Sequence, residues 1–158
     1  MGPTIKLARL VDAEQILKLQ YLCYQTEAEL YGDWQISPLT QTLQSLHAEY
    51  DTHRILIAYL GGEVVGSVRG RLIDGTCYIG RLVVHPRLQR RGLGTRLMRA
   101  IEEDFAVANR YELFTGYLSE DNLRLYRRLG YTEFREEAVS PRLQLVYLEK
   151  PGMGADRS

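Results

Sequence analysis

Between Tyr78 and Arg99 the chain carries Arg81, Arg87, Arg90, Arg91, Arg96 and Arg99 and no acidic residue. Over the whole 158-residue chain Lys+Arg and Asp+Glu each count 20. One-sign clustering in a chain without net charge points to an anionic ligand. Gly92 and Gly94 lie inside the cluster, and a residue without Cβ lets backbone come close to a ligand. The helix predicted to open at Leu93 aims its free N–H groups and positive dipole end at the same loop. Together these are the parts of a phosphate site. It is not a Walker loop, because no Gly-Lys-Ser/Thr follows. Nor is it a dinucleotide fingerprint: the third glycine is missing, and the preceding strand belongs to a run of hairpins. A plain turn and cap with solvated arginines would give the same pattern, so the residues alone leave both readings open.

The elements around this segment follow from periodicity. Residues 4–10 alternate as a strand, and Asp12 with Gln15 reads as a capping-box start to a helix carrying Ile16, Leu19, Leu22 and Cys23 on one side. Ser37-Pro38 predicts a second helix with Leu39, Leu43, Leu46 and Tyr50 at helical spacing. Residues 53–84 read as an antiparallel meander turning at Gly61-Gly62 and Asp74-Gly75. A helix with Leu93, Leu97, Ile101 and Phe105 on its core face follows, then a strand over 111–118. A short helix over 119–129 is capped by Gly130, and two strands over 132–139 and 142–149 close the chain. The order β-α-α-β-β-β-α-β-α-β-β predicts an α/β fold with a mixed, mainly antiparallel central sheet flanked by helices. One domain is expected over 1–150, with a frayed tail over 151–158.

Composition narrows the classes. Nearly half the residues are hydrophobic and a quarter charged, as in an ordinary globular protein. Zero net charge argues against a general nucleic-acid binder. No apolar run is long enough to suggest a membrane span, and the N-terminus lacks the apolar core of a signal peptide. Cys23 and Cys77 make no metal-like spacing. Both are read as reduced, the protein as cytoplasmic, and no metal is expected.

Leu82-Val83-Val84-His85-Pro86, followed by Gln89-Arg90-Arg91-Gly92-Leu93-Gly94, resembles the signature of the GNAT superfamily of acyl-CoA-dependent N-acyltransferases. Downstream, Ser119-Glu120-Asp121-Asn122 and Leu125-Tyr126-Arg127-Arg128-Leu129-Gly130-Tyr131 resemble the family's later motif, a short helix bearing a tyrosine and ending at Gly-Tyr or Gly-Phe. The element order agrees with the family over roughly residues 4–150. The resemblance implies a GNAT-like fold, acetyl-CoA as co-substrate and a primary amine of a small molecule or peptide as acceptor. It implies that backbone N–H groups over Arg90, Arg91, Gly92, Leu93, Gly94 and Thr95 cradle the pyrophosphate, with Gln89 also in the cofactor-binding set. The backbone of Leu82, Val83 and Val84 would pair with pantetheine, with the Leu82 N–H polarising the thioester carbonyl. Tyr126 would serve the departing thiolate as general acid; without the resemblance it reads as a core aromatic. Many family members place an asparagine seven residues before the tyrosine, where this chain has Ser119, so the polar role falls to Ser119, Asn122 or both.

The general base is open. Many relatives place a glutamate on the fourth strand, but the corresponding face here offers Tyr78 and Gly80. Glu27, Glu29, Tyr78 through water, or no dedicated base remain. The expected acceptor pocket draws on Glu27, Glu29, Tyr31 and Tyr78, with Asp33 and Trp34 nearby, a set suited to a cationic amine or equally to a solvated helix end. His85 reads as a turn residue. The missing strand glutamate supports one alternative, a non-catalytic acyl-CoA-binding or sensor module of the same fold. Nucleic acid and membrane are not expected partners, and a homodimer is left open.

Overall fold

The computed structural model describes residues 2–154. Seven strands form one sheet in the order β1-β2-β3-β4-β5-β7-β6. They are β1 (Thr4–Leu7), β2 (Arg54–Leu60), β3 (Glu63–Ile73), β4 (Thr76–Val84), β5 (Arg110–Gly116), β6 (Thr132–Ala138) and β7 (Gln144–Pro151). Among the described residues only the β4–β5 pair is parallel; the other five pairs are antiparallel. The helices are α1 (Ala13–Tyr31), α2 (Ser37–Thr40), α3 (Leu43–Glu49), α4 (Leu93–Asp104) and α5 (Glu120–Arg128). The α/β class and the mainly antiparallel sheet are thus as the sequence predicts. Among the described residues no helix is long and apolar enough to cross a membrane.

The sheet has a core on each face. Ile16, Leu17 and Leu19 of α1 and Leu46 of α3 bury against Ile55, Ile57, Val64 and Val83. On the other face Leu93, Leu97, Met98 and Ile101 of α4, with Leu123 and Tyr126 of α5, cover Val65, Val68, Cys77, Leu113 and Leu148. The spacing of the α4 residues puts all four on one helical stripe. Gly70 lets α4 sit close, since a Cβ there would meet the Phe105 ring at 2.7 Å and Ile101 at 2.9 Å. Glu102 interrupts the stripe but is paired: its carboxylate accepts from the Tyr131 hydroxyl at 2.6 Å and from Lys150 Nζ at 2.9 Å. Tyr131, which ends the second motif, therefore pins the end of α5 to α4.

Three local expectations change. The helix predicted from Ser37 onward breaks in two at Gln41, whose backbone is extended, and Thr42 caps α3 by accepting from the Ser45 N–H at 3.1 Å. The break brings Gln41 into a buried polar cluster. Its Oε1 accepts from Gln20 Nε2 at 3.0 Å and from Arg69 Nη1 at 3.2 Å, while its amide donates to Glu49. Asp12 does not cap α1. Its carboxylate turns back to the Arg9 N–H at 2.8 Å, and Gln15 Oε1 instead accepts from the Val64 N–H at 3.0 Å. The segment after Glu149 continues β7 to Pro151, and Gly152 and Gly154 donate to Asn109 and Ala108 carbonyls. Of the tail expected to fray, residues 155–158 lie outside the described residues.

Arg69 is 2% exposed, and its charge is met by Glu49 at 3.3 Å and by Gln20 Oε1 at 2.7 Å. Burial depresses its pKa, and Glu49 opposes that shift. Removing one partner of a buried pair strands the other, while replacing the buried charge by an apolar group of similar size removes the desolvation cost too. Glu49→Ala is therefore expected to cost about 3 kcal/mol, and Arg69→Met distinctly less, read by urea denaturation. A larger loss for Arg69→Met would reverse this account.

Candidate active site

β4 and β5 pair only over Thr76–Tyr78 and Arg110–Glu112. Beyond that they part, β4 staying with β3 and β5 with β7. A bulge accompanies the parting: Ser67 pairs with Val83 and Arg69 with Gly80, so Val68 alone stands opposite Arg81 and Leu82. Arg81 takes up the extra residue in the left-handed region, at φ 54°. With Val83 in register with Ser67 and the His85 N–H donating to Val65, strand alternation turns the backbone groups of Leu82 and Val84 away from β3. The Val84 carbonyl accepts from Cys23 Sγ and from Gln89 Nε2, each at 3.3 Å.

The parting opens a cleft of about 730 Å³. One wall is α1, through Cys23, Tyr24 and Glu27; the floor is Leu82, Val83 and Val84; the far wall is α5, through Asn122, Arg124 and Arg128. Its end is closed by the loop and first turn of α4, including Gln89, Arg90, Gly92, Leu93, Gly94 and Thr95. Arg90 at φ 64° and Gly92 at φ 80° place left-handed residues just ahead of that helix. Such alternation turns successive N–H groups toward one concavity. A Cβ on Gly92 would meet nothing within 4 Å, so the space beside it is open for a group other than protein. Gly94 lies between α5 and the cleft floor, where a Cβ would come 3.4 Å from Leu125 and 3.9 Å from Leu82 and Val84.

The structure thus brings Leu82, Val83, Val84, Gln89, Arg90, Gly92, Leu93, Gly94, Thr95 and Asn122 of the predicted cofactor set together in one cleft, with Glu27 beside them. Arg91 is exposed and outside the lining. Among the other clustered arginines, Arg87 pairs with Glu63 at 2.6 Å and Arg96 donates to the Pro3 carbonyl at 3.0 Å. Arg124 and Arg128 take their place in the cleft. They were missed because they lie in the second motif, where helical spacing alone does not say which face looks back at the first.

Ser119 is buried rather than lining the cleft, and it anchors the cleft wall. Its hydroxyl donates to Glu27 Oε2 at 2.6 Å and lies 2.8 Å from the Tyr31 hydroxyl, which also accepts from the Leu118 N–H at 2.9 Å. Asn122 donates to Thr115 Oγ1 at 3.2 Å. Tyr126 is buried on the inner side of α5. Burial raises its pKa, and Tyr24 and Glu27 add to the rise, so the phenol stays protonated at neutral pH. Burial likewise raises the pKa of Glu27, partly offset by the Ser119 hydroxyl. Burial pushes the Cys23 thiol up to about 11, which makes it a neutral donor rather than a nucleophile.

The expected acceptor residues are scattered. Tyr31 is buried on Gly116, Glu29 and Trp34 are exposed, and Asp33 is engaged in a turn with the Gln35 N–H at 2.9 Å. Tyr78 stands exposed on β4 short of the cleft.

Residues 13–131 match the acetyltransferase (GNAT) family. The chain belongs to this family. Its fold is shared with the ribosomal-protein-S18-alanine N-acetyltransferase of Escherichia coli (TM-score 0.77, 13% identity, covering 94% of this chain and 93% of that one). It is shared with the PaiA N-acetyltransferase of Thermoplasma acidophilum solved with coenzyme A (TM-score 0.76, 15% identity, 96% and 99% covered). A phosphinothricin acetyltransferase of Sinorhizobium meliloti, solved with acetyl-CoA, gives a TM-score of 0.80 at 14% identity, with 99% and 92% covered. At these identities the likeness is one of fold.

Within this GNAT fold, Gly116 and Gly80 make a clean contrast. A Cβ on Gly116 would fall 1.9 Å from the Tyr31 hydroxyl, whereas one on Gly80 would meet nothing within 4 Å. Gly116→Ala is expected to displace Tyr31 from Ser119 and cost about 1–3 kcal/mol. Gly80→Ala is expected to stay within about 0.5 kcal/mol of wild type. Thermal denaturation of the two variants checks this, and equal effects would place the Tyr31 contact elsewhere.

Proposed function

We propose that this chain is an N-acetyltransferase, moving the acetyl group of acetyl-CoA to a primary amine of a small molecule or peptide. The observation that carries the reading is the parted β4 edge, which runs from the Leu82 backbone to a loop of left-handed residues at the start of α4. An unpaired strand edge suits the amides of pantetheine, and a concavity of N–H groups at a helix start suits a pyrophosphate. Arg90, Arg124 and Arg128 add positive charge along the same path. The relatives solved with coenzyme A and acetyl-CoA support the same ligand. The two cysteines are free, which fits a cytoplasmic protein.

In this reading the amine nitrogen attacks the acetyl carbonyl carbon, whose oxygen gathers negative charge and accepts from the Leu82 N–H. The C–S bond then breaks. Tyr126, neutral because it is buried, donates to the departing sulfur. The proton lost by the amine goes to Glu27. This carboxylate lines the cleft and is oriented by Ser119, and it takes the part that the missing β4 glutamate left open. Its presence favours turnover over a purely acyl-CoA-binding module.

Gly92→Val puts a branched side chain into the open space beside the loop and strains the left-handed backbone. It is expected to abolish CoA binding by calorimetry in a folded protein. Arg90→Ala should weaken binding more than Arg99→Ala, since screening limits charge effects to about 10 Å at 0.1 M salt. Unchanged affinity in Gly92→Val would remove the phosphate-cradle assignment.

Tyr126→Phe keeps the ring and is expected to lower the transfer rate by roughly 10²-fold with CoA affinity and melting temperature nearly unchanged. Glu27 must be ionised to accept a proton, and burial holds its pKa above the usual carboxylate range. The rate should therefore fall as pH drops through that raised value, and Glu27→Gln should erase this acid limb. A profile identical in wild type and Glu27→Gln would exclude Glu27 as base.

A further inference from the structure

We propose that Arg124 and Arg128 of α5 form a second anion site at the rim of the cleft, one that binds the 3′-phosphate of the coenzyme's adenosine and so selects CoA over its 3′-dephospho form. The proposal rests on the reading of the cleft as the acetyl-CoA site.

CoA carries two separate phosphate groups. The pyrophosphate leaves the 5′ side of the ribose, and a phosphomonoester sits on the 3′ oxygen. The loop ahead of α4, with Arg90 and Gly92 in the left-handed region, offers backbone N–H groups to the first of them. One ribose joins the two, so a site for the second has to stand beside that loop. α5 is the element that stands there: a Cβ on Gly94, in the first turn of α4, would lie 3.4 Å from Leu125 Cδ2. Arg124 immediately precedes Leu125, and Arg128 lies almost one helical turn beyond it. Both arginines line the same cleft as Gln89, Arg90, Gly92 and Gly94. At i and i+4 of one helix their side chains share a face, one above the other. Two guanidiniums so placed can grip the oxygens of one phosphate.

Their neighbours are engaged or lie elsewhere. Arg127 pairs with Glu133, Arg87 pairs with Glu63, and Arg96 donates to the Pro3 carbonyl at 3.0 Å. Arg91 lies outside the lining. Arg124 reaches Asp121 at 3.5 Å, but the two side chains are 66% and 80% exposed, and an ion pair so open to water holds little energy. Among the described residues Arg128 has no ion-pair partner. Both arginines are exposed at the edge of the cleft. A phosphomonoester, with a charge of about −1.5 to −2 at neutral pH, supplies their counter-charge there without being stripped of all its water. The backbone loop accepts a pyrophosphate whatever the ribose carries. A guanidinium pair fixed beside it responds to a further phosphate on that same ribose, which is the difference between CoA and dephospho-CoA.

The test is calorimetric titration of the full chain with CoA and with 3′-dephospho-CoA in one buffer, with melting temperatures to verify that each variant is folded. Wild type is expected to bind CoA more tightly by about tenfold or more, the scale of one charge-assisted hydrogen bond. Arg124→Gln and Arg128→Gln should each lower that ratio, and the double variant should bring it toward one by weakening CoA while dephospho-CoA affinity holds. Arg127→Gln, on the same helix but paired with Glu133, should keep the wild-type ratio. Equal affinities of wild type for the two ligands would overturn the proposal and leave the CoA reading standing. So would a double variant that loses both ligands equally, since its arginines would then act on the pyrophosphate. Arg128 also stands in the last turn of α5, where a cation complements the helix dipole; a lowered melting temperature with an unchanged ratio would give it that role alone and overturn the proposal. If wild type binds neither ligand, the CoA reading itself falls and takes the 3′-phosphate site with it.

Discussion

The site depends on a short parallel pairing that stops. β4 and β5 share hydrogen bonds over three residues and then diverge, which leaves backbone N–H and C=O groups of Leu82 and Val84 without a neighbouring strand. Buried main-chain polar groups must find partners. The Val84 carbonyl finds weak ones in the Cys23 thiol and the Gln89 amide, side-chain donors that can yield to a ligand amide more readily than a strand could. The bulge at Arg81 sets which groups face outward, and the start of α4 lies at the end of the same edge. Strand edge, phosphate loop and Arg81 are thus consequences of one break in one ladder.

The wall opposite this edge is fixed by packing. Gly116 ends β5 beneath the Tyr31 ring, and the Tyr31 hydroxyl holds the Leu118 N–H and lies against Ser119, which donates to Glu27. A carboxylate on α1 is thereby held against the residue preceding α5. Burial then acts in the same direction on Cys23, Tyr24, Glu27 and Tyr126, raising the pKa of each and favouring the neutral form. A site whose own groups are held neutral has little charge to lose when a ligand excludes water. What it retains is the charge of the arginines around it and, above its raised pKa, that of Glu27.

The second structural anchor is polar and lies outside the cleft. Arg69 reaches from β3 through the layer of α1 and α3 to Gln20, Gln41 and Glu49. Gln41 can join only because the helix breaks there. Such a network fixes how α1 sits on the sheet, and with it where Cys23, Tyr24 and Glu27 meet the cleft. Glu102 does the same on the opposite face, linking α4 to Tyr131 and Lys150.

By itself the sequence determined the elements and the phosphate-facing half of the site. Alternation and helical spacing are local, and so are a glycine loop and a helix start, so Gln89 to Thr95 could be read without knowing what faces them. The pairing order that moves β7 between β5 and β6 was not legible, nor was the break at Gln41, because each is decided by contacts between residues far apart in the chain. The same reason hid Arg124 and Arg128, which only the facing of α5 toward the α4 loop brings into the cleft. It also left Glu27 and Glu29 equivalent as candidates: they are two positions apart on one helix, and a turn of about 200° sends one into the cleft and the other to solvent. Arg81 read as one member of a cluster, and only the bulge, which exists because two strands with different partners must part, separated it from the rest.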